Sequence, residues 1–290
     1  MTEETWTIRK VLGWTTGRFE KADIDAPRLT AEILLAHTLK VDRIKLFMEL
    51  DRPLQKDELS EFKALIQRRM QFEPTQYLTG FKDFYNRRFS VDPRVLIPRP
   101  ETELLVEGVL QLLPKDAPSR VLDLCTGSGC IGITIAAERP QASVWVTDLS
   151  KGACEVAAAN AEKHQVASRV SVLQGDLFAA LPAGVRFDLV VSNPPYIKRA
   201  DLPGLQKEVR QEPTQALDGG TDGLAFARAI AEGAHAALKP GGWLALEIGD
   251  EQGEAVRQVL TRSGYHAVRV DKDLSRLDRL AFAQESASHG

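Results

Sequence analysis

The chain is poor in the features that mark secreted, metal-binding and membrane-spanning proteins. Its 290 residues include only three cysteines, Cys125, Cys130 and Cys154, and no pair of them has Cys-x-x-Cys spacing. The absence of this spacing, with so few cysteines, argues against both a structural zinc site and a disulfide framework. No stretch approaches the roughly 20 apolar residues of a membrane span, and residues 1 to 25 lack the apolar core of a signal peptide. We therefore expect a cytoplasmic protein without a metal site.

An excess of basic residues is also missing. Lysine and arginine number 37 against 40 aspartates and glutamates, which gives a formal net charge of −3. Non-specific affinity for nucleic acid comes from neutralising phosphates with basic side chains. We therefore expect no direct binding to nucleic acid. With 43% hydrophobic and 27% charged residues, the composition is that of an ordinary soluble globular protein.

Two changes of pattern divide the chain into three parts. Up to about residue 76, apolar residues recur at spacings of three and four, which predicts a small helical bundle over residues 1–76. Residues 77–100 are rich in β-favouring side chains and contain Asn86 and Pro93 as turn residues, which predicts a hairpin linker. Residues 101–290 form the third part, the predicted catalytic domain.

In the third part, apolar runs typical of strands alternate with helical patterns. This alternation predicts an α/β domain with a mostly parallel, Rossmann-like sheet. The predicted strands are Val121–Leu124, Ser143–Asp148, Val170–Gln174, Phe187–Ser192 and Trp243–Ile248, with two weaker ones at Ala267–Val270 and Leu280–Gln284.

A glycine-rich loop follows the first strand of this domain. Cys125-Thr126-Gly127-Ser128-Gly129 leads into an apolar helix, and glycines at that place let the chain turn tightly and let a ligand approach the helix N-terminus. Gly127, Gly129 and Gly132 also satisfy G-x-G-x-x-G, and Asp148 ends the next strand, where an acid binds a ribose. The loop predicts a cofactor that contains adenosine, and an NAD-dependent oxidoreductase stays open at this point.

Acidic residues near three successive strand ends favour S-adenosylmethionine. Asp123, just before the glycines, would repel a pyrophosphate but attract the ammonium group of a methionine. Asp176 follows the third strand, where it can accept from an adenine amino group while Leu177 covers the ring. The predicted cofactor-binding residues are Asp123, Cys125, Thr126, Gly127, Ser128, Gly129, Asp148, Asp176, Leu177 and Asn193.

The sequence Asn193-Pro194-Pro195-Tyr196 ends the fourth strand and predicts the acceptor site. Two prolines stiffen the backbone and remove two N–H donors while both carbonyl acceptors stay. With the Asn193 amide oxygen and the Tyr196 ring face, the segment can hold a planar NH2 group and cover it. The tetrapeptide alone is also compatible with a nucleic-acid amino-methyltransferase acting on adenine N6 or guanine N2.

Six segments carry a resemblance to a known family: Leu96–Glu103, Asp123–Gly129, Asn193–Tyr196, Glu212-Pro213, Ala216–Gly220 and Leu246–Gly249. Over nearly its whole length the chain resembles the protein-(glutamine-N5) methyltransferases that act on peptide chain release factors. The resemblance implies an S-adenosylmethionine-dependent methyltransferase, with a helical N-terminal domain that engages the release factor. It also implies that the catalytic domain methylates the glutamine of the Gly-Gly-Gln loop.

For this reaction we expect Asn193 Oδ1 and the Pro194 carbonyl to accept the two hydrogens of the substrate amide. Tyr196 would pack on the amide face, and the Pro195 ring would stiffen the turn. Catalytic roles are thus predicted for Asn193, Pro194 and Tyr196, and substrate binding for these three and Pro195. Glycines and prolines within residues 198–223 predict a mobile flap beside the site.

Two positions depart from the family pattern. Leu177 stands where some members carry an aromatic residue, so we expect stacking on the adenine here to be either purely aliphatic or supplied by Phe178. Arg276 stands where a glycine is expected near the C-terminus. Glu101 and Glu103 follow Pro100 at a helix start, where acidic side chains favour the helix dipole, and we assign them no further role.

Overall fold

The computed structural model describes residues 5–287 and contains two compact units. One consists of Met1–Gly80 and Gln206–Gln211, the other of Phe81–Leu205 and Glu212–Gly290. The predicted limits at residues 76 and 100 stay predictions, and the hairpin belongs to the second unit. No helix within residues 5–287 is both long and apolar enough to cross a membrane.

The first unit is helical, as the spacing of its apolar residues predicts. Thr7 caps the first helix by accepting a hydrogen bond from the Lys10 N–H, and Pro27 occupies the first turn of the second. The helices are α1 Ile8–Lys21, α2 Pro27–Leu39, α3 Arg43–Met48, α4 Lys56–Arg69 and α5 Thr75–Thr79. Their shared core includes the buried side chains of Leu12, Phe19, Leu34, Leu35 and Leu46.

The segment Gln206–Gln211 completes this unit through side-chain contacts. Arg69, the largest fully buried side chain of the described residues, forms an ion pair with Glu208. The Lys207 ammonium lies 4.2 Å from the centroid of the Phe72 ring, which is a cation–π contact. The predicted flap over residues 198–223 is therefore divided between the two units.

The second unit opens with a hairpin and a helix. Strands β1 Phe81–Phe84 and β2 Arg87–Ser90 pair antiparallel, and both residues of the turn between them have positive φ, as a two-residue hairpin turn requires. Helix α6 runs over Pro100–Leu112 with Glu101 and Glu103 in its first turn. Glu103 has a further role, because its Oε1 accepts the Tyr85 N–H at 3.0 Å and so ties the helix to the hairpin.

All seven strands predicted for the sheet are confirmed. The sheet order is β5-β4-β3-β6-β7-β9-β8, in which the first five strands run parallel and β9 is antiparallel to both neighbours. The strands are β3 Ser119–Leu124, β4 Ala142–Asp148, β5 Val170–Gln174, β6 Phe187–Ser192, β7 Leu238–Glu247, β8 His266–Lys272 and β9 Asp278–Gln284.

Helices cover both faces of this sheet. Alternate side chains of β3 enter different cores, so that Val121 packs on the face of α6 and Leu122 on the opposite face. The remaining helices are α7 Cys130–Glu138, α8 Lys151–Lys163, α9 Ala225–Ala237 and α10 Gly253–Arg262. The strand order reverses between β3 and β6, and ligands of open α/β sheets bind beyond the carboxyl ends of the strands at such a point.

Candidate active site

The glycine-rich loop after β3 is shaped by close contacts that exclude side chains. A Cβ atom on Gly129 would lie 2.6 Å from Ile133 Cδ1, and one on Gly132 would lie 2.5 Å from Val146 Cγ1. Gly127 and Gly129 also have φ values of 55° and 82°, a region that glycine enters without strain. The glycines therefore bring the start of α7 against the sheet.

Asp123, in β3, stabilises this loop and the start of α7 by two hydrogen bonds. Its Oδ2 accepts the Thr126 hydroxyl at 2.6 Å and the Gly132 N–H at 3.0 Å. The side chain is fully buried, and burial raises its pKa to about 7. Within residues 5–287 its Oδ1 has no hydrogen-bond partner. Asp123 thus stabilises the loop through Oδ2, and its Oδ1 remains available to accept a hydrogen bond.

A cavity of about 420 Å³ lies at the loops that follow β3, β4, β5 and β6. This volume is in the range of roughly 300–1,000 Å³ typical of small-ligand sites. The predicted residues that line it are Cys125, Gly127, Asp148, Asp176, Leu177, Asn193 and Pro195. The predicted residues outside this lining are Asp123, Thr126, Ser128, Gly129, Pro194 and Tyr196.

Asp148 lies in the cavity wall with both carboxylate oxygens engaged. Oδ2 accepts the Gly127 N–H and Oδ1 accepts the Ser150 N–H, each at 2.9 Å. Burial raises the pKa of this carboxyl above its usual value. The end of β4 is therefore fastened to the glycine-rich loop, and the acid is held where a ligand can meet it.

The aromatic residue of the cavity is one that the sequence did not single out. Phe226, in the first turn of α9, lines the cavity together with Ala229. Phe178, which we considered as the aromatic partner of adenine, packs elsewhere: a Cβ on Gly233 would lie 2.5 Å from its ring. The signal that could have pointed to Phe226 is its place at a helix start directly after the glycine-rich Gly219–Gly223 segment.

Asn193 is held by a residue of α6. Its Nδ2 donates to Thr102 Oγ1 at 3.2 Å, and the Thr102 hydroxyl donates to Glu247 Oε2 at 2.6 Å. Tyr196 is largely buried, which raises the pKa of its phenol to about 12. Its hydroxyl is therefore protonated at neutral pH and does not act as a base.

The backbone after the tetrapeptide is enclosed by the Ala216–Gly220 segment. The Ile197 N–H donates to the Leu217 carbonyl at 3.0 Å, and the Gly219 N–H donates to the Ile197 carbonyl at 2.8 Å. A Cβ on Gly219 would lie 2.7 Å from the Cα of Tyr196. Only glycine at this position allows the two backbones to lie so close.

Glu212 links two further segments that the sequence highlighted. Its Oε2 accepts the Ile97 N–H at 2.9 Å, and its Oε1 accepts from Arg99 at 2.5 Å. The side chain is buried, and the following Pro213 lines the cavity. The mobility predicted for residues 198–223 stays a prediction, but Pro213, Gln215 and Ala216 of that segment line the cavity.

The turn at Arg276 forms in spite of the missing glycine. Arg276 has a φ of 64° and donates its N–H to the Asp273 carbonyl at 2.9 Å. Asp273 Oδ1 in turn accepts the Ser275 and Leu277 N–H groups at 2.9 and 3.0 Å. The hydrogen bonds to Asp273 therefore hold a backbone conformation that arginine rarely adopts.

Two families match the chain, and each covers one of its parts. The family described as "PrmC N-terminal domain" matches residues 10–80. The family described as "Methyltransferase small domain" matches residues 101–221.

Curated relatives match over almost the whole chain. A protein of Geobacter sulfurreducens named release factor glutamine methyltransferase is 45% identical over 97% of this chain and 98% of its own length. A protein of Moorella thermoacetica with the same name is 43% identical over 96% of this chain and 99% of its own. Among solved structures, a methyltransferase from Pyrococcus furiosus is similar with a TM-score of 0.53 at 18% identity, covering 78% of this chain and 99% of that one. The last likeness supports the methyltransferase fold.

Proposed function

The chain belongs to the release factor glutamine methyltransferase family, and we propose that it methylates peptide chain release factors. The reaction transfers a methyl group from S-adenosylmethionine to the side-chain amide nitrogen, N5, of the glutamine in the Gly-Gly-Gln loop. The observation that carries the proposal is the placing of Asn193 in the cavity wall, in a chain related to these enzymes over almost its full length.

The cavity suits S-adenosylmethionine as the methyl donor. Asp148 would bind the ribose hydroxyls, and Asp176 with Leu177 would hold the adenine, with Phe226 supplying an aromatic surface. Cys125 and Gly127 would flank the methionine part. Asp123 lies outside the cavity lining, and its carboxylate, whose Oδ1 has no partner among the described residues, would attract the ammonium group by its charge. When bound, S-adenosylmethionine supplies an electrophilic methyl group on a sulfonium.

The acceptor side of the reaction needs orientation more than it needs a base. A carboxamide nitrogen is a poor nucleophile because its lone pair is delocalised into the carbonyl. Asn193 Oδ1 and the Pro194 carbonyl would accept its two hydrogens, which aims the nitrogen and favours the positive charge that develops on it. The amide proton leaves after the transfer, so no ionised Tyr196 is required.

We assign recognition of the release factor to the helical unit. Residues 10–80 match the family described as "PrmC N-terminal domain", and the mechanism proposed above uses none of the residues of this unit. A substrate that acts in translation termination implies a cytoplasmic location for the enzyme. The Asn193 amide oxygen would suit a base amine equally well, so a nucleic-acid substrate is the alternative that the experiment must separate.

The decisive experiment is methylation of a purified release factor with isotope-labelled S-adenosylmethionine, followed by mass mapping of the labelled residue. We expect one methyl group on the glutamine of the Gly-Gly-Gln loop. A release factor with that glutamine replaced by alanine is the matched substrate control and should stay unlabelled. Label on DNA or RNA oligonucleotides at low salt, with none on the release factor, would refute the proposal.

A further inference from the structure

Thr102 and Glu247 lie behind the cavity wall and form one hydrogen-bond chain with Asn193. Thr102 is in the first turn of α6 and Glu247 is the last residue of β7, and each is only 1% exposed. Thr102 Oγ1 lies 2.6 Å from Glu247 Oε2 and 3.2 Å from Asn193 Nδ2. Neither Thr102 nor Glu247 lines the cavity.

The chemistry of the three side chains fixes which of them donates and which accepts in each hydrogen bond. An ionised carboxylate can only accept hydrogen bonds, and a threonine hydroxyl has one proton to donate. Since that proton goes to Glu247, Thr102 Oγ1 has only lone pairs left for Asn193. Asn193 must therefore turn its NH2 group towards Thr102, which leaves its amide oxygen to face a ligand.

We propose that Thr102 and Glu247 are positioning residues, which fix the Asn193 side chain with Oδ1 directed at the acceptor amide. The inference rests on the proposed function, because the group to be oriented is taken to be a carboxamide. If the Asn193 amide were flipped, its NH2 group would meet the NH2 group of the substrate. Two donors would then face each other, and one of the two hydrogen bonds that aim the nucleophile would be lost.

The burial of Glu247 supports a role other than stability. Removing a carboxylate from water is unfavourable unless its partners repay it, and burial raises the pKa of Glu247 to about 7 in spite of the Thr102 hydroxyl and Arg279. A neutral residue at this position would avoid the free-energy cost of removing a carboxylate from water. An acceptor-only group is needed only if the direction of the chain matters.

The test compares Thr102→Val, which keeps the shape but loses the hydroxyl, with Thr102→Ser, which keeps the hydroxyl. Thr102→Val should lower kcat on the release factor by about 10- to 100-fold and leave the Kd for S-adenosylmethionine within about twofold. Thr102→Ser should keep kcat within about threefold of the unmodified enzyme. Equal kcat in Thr102→Val and the unmodified enzyme, or equal losses in both variants, would overturn the inference.

A second variant and a second measurement keep the test independent of folding and of the substrate. Glu247→Gln can also donate to Thr102, so it should reduce kcat while thermal stability is kept. Hydrogen exchange of the Asn193 side-chain NH2, followed by NMR, should be faster in Thr102→Val than in the unmodified protein. If the exchange responds but no variant methylates a release factor, the proposed function fails and the orientation stands. If the release factor is methylated but exchange and kcat do not respond, the orientation fails alone.

Discussion

Gln252 donates a hydrogen bond from Nε2 to the backbone carbonyl of Tyr196 at 2.9 Å. The same Nε2 lies 3.2 Å from the Gly223 carbonyl, while Oε1 accepts the Gly249 N–H at 2.9 Å. One buried side chain thus joins the loop after β6, the segment before α9 and the loop after β7.

Gln252→Glu should weaken this junction, because it keeps the shape but replaces the NH2 donor with an acceptor that faces two carbonyl oxygens. We expect a loss of about 1–3 kcal/mol in the free energy of unfolding and a lower kcat. Urea unfolding and initial rates measure the two effects. Gln258→Glu, at an exposed position of helix α10, which begins directly after Gln252, is the control and should change stability by about 0.5 kcal/mol or less.

Asn193→Ala should lower kcat by about 100-fold or more, because the amide acceptor is lost where charge develops in the transition state. The Kd for S-adenosylmethionine, measured by calorimetry, should change far less. Asn193→Ala with a near-normal rate would show that the acceptor amide is held by other atoms.

Gly219→Ala tests the close approach of the Ala216–Gly220 segment to the tetrapeptide. The added methyl would lie 2.7 Å from the Tyr196 backbone, so one of the two backbones must shift and kcat should fall. The matched control is Gly13→Ala in α1, where, among residues 5–287, no atom other than those of the neighbouring residues and of the backbone of its own helix lies within 4 Å of the added Cβ. That change should stabilise the protein by about 0.5–1 kcal/mol. Similar effects of both substitutions would refute the packing role.

The raised pKa of Glu247 predicts how stability depends on pH. Since the folded-state pKa of about 7 lies above the ordinary value of 4.5, the folded protein binds more protons than the unfolded chain between these values. Its stability therefore falls as pH rises through this window. Thermal unfolding should show a smaller fall for Glu247→Gln than for the unmodified protein, and parallel curves would contradict this. Asp123→Asn should behave in the same way, because the pKa of Asp123 is also raised to about 7.

The ionisation of Glu247 should also affect kcat. The hydrogen bond from Thr102 lowers the pKa of Glu247, and so do the nearby charges of Arg279 and Arg99. The nearby charge of Glu101 raises it. Because the ionised form commits the Thr102 proton, kcat at saturating substrates should rise with pH around a midpoint of about 7. Glu247→Gln should lack this rise, and a rise that persists in that variant must come from another group.

The sheet could be read from the sequence because its strands are short apolar runs bounded by loops. The one large discrepancy is the start of β7, which was predicted at Trp243 and lies at Leu238. Pro240, Gly241 and Gly242 stand inside this strand, and their turn chemistry hid the pairing of Leu238 with Phe187, where the register shifts.

Some residues of the candidate site could be predicted from the sequence and others could not. The cofactor loops and the tetrapeptide are local signals, since each is a motif directly after a strand. The partners of Asn193 are not, because Thr102 reads as part of a helix start and Glu247 as a residue of a strand end. The role we propose for them depends on contacts over 91 and 145 positions of the chain, which no short sequence pattern records.

The order of the strands separates the two tasks of the enzyme. Asp148 ends β4, and Asp176 and the glycine-rich loop follow β5 and β3. Asn193 follows β6 and Glu247 ends β7, on the other side of the reversal. Within the sheet, β3 and β6 are the two strands that pair across this reversal. A protein engineer could therefore alter the loop after β6 and the end of β7 to suit another planar amine while β3, β4 and β5, and the acidic residues at the ends of β4 and β5, are left unchanged.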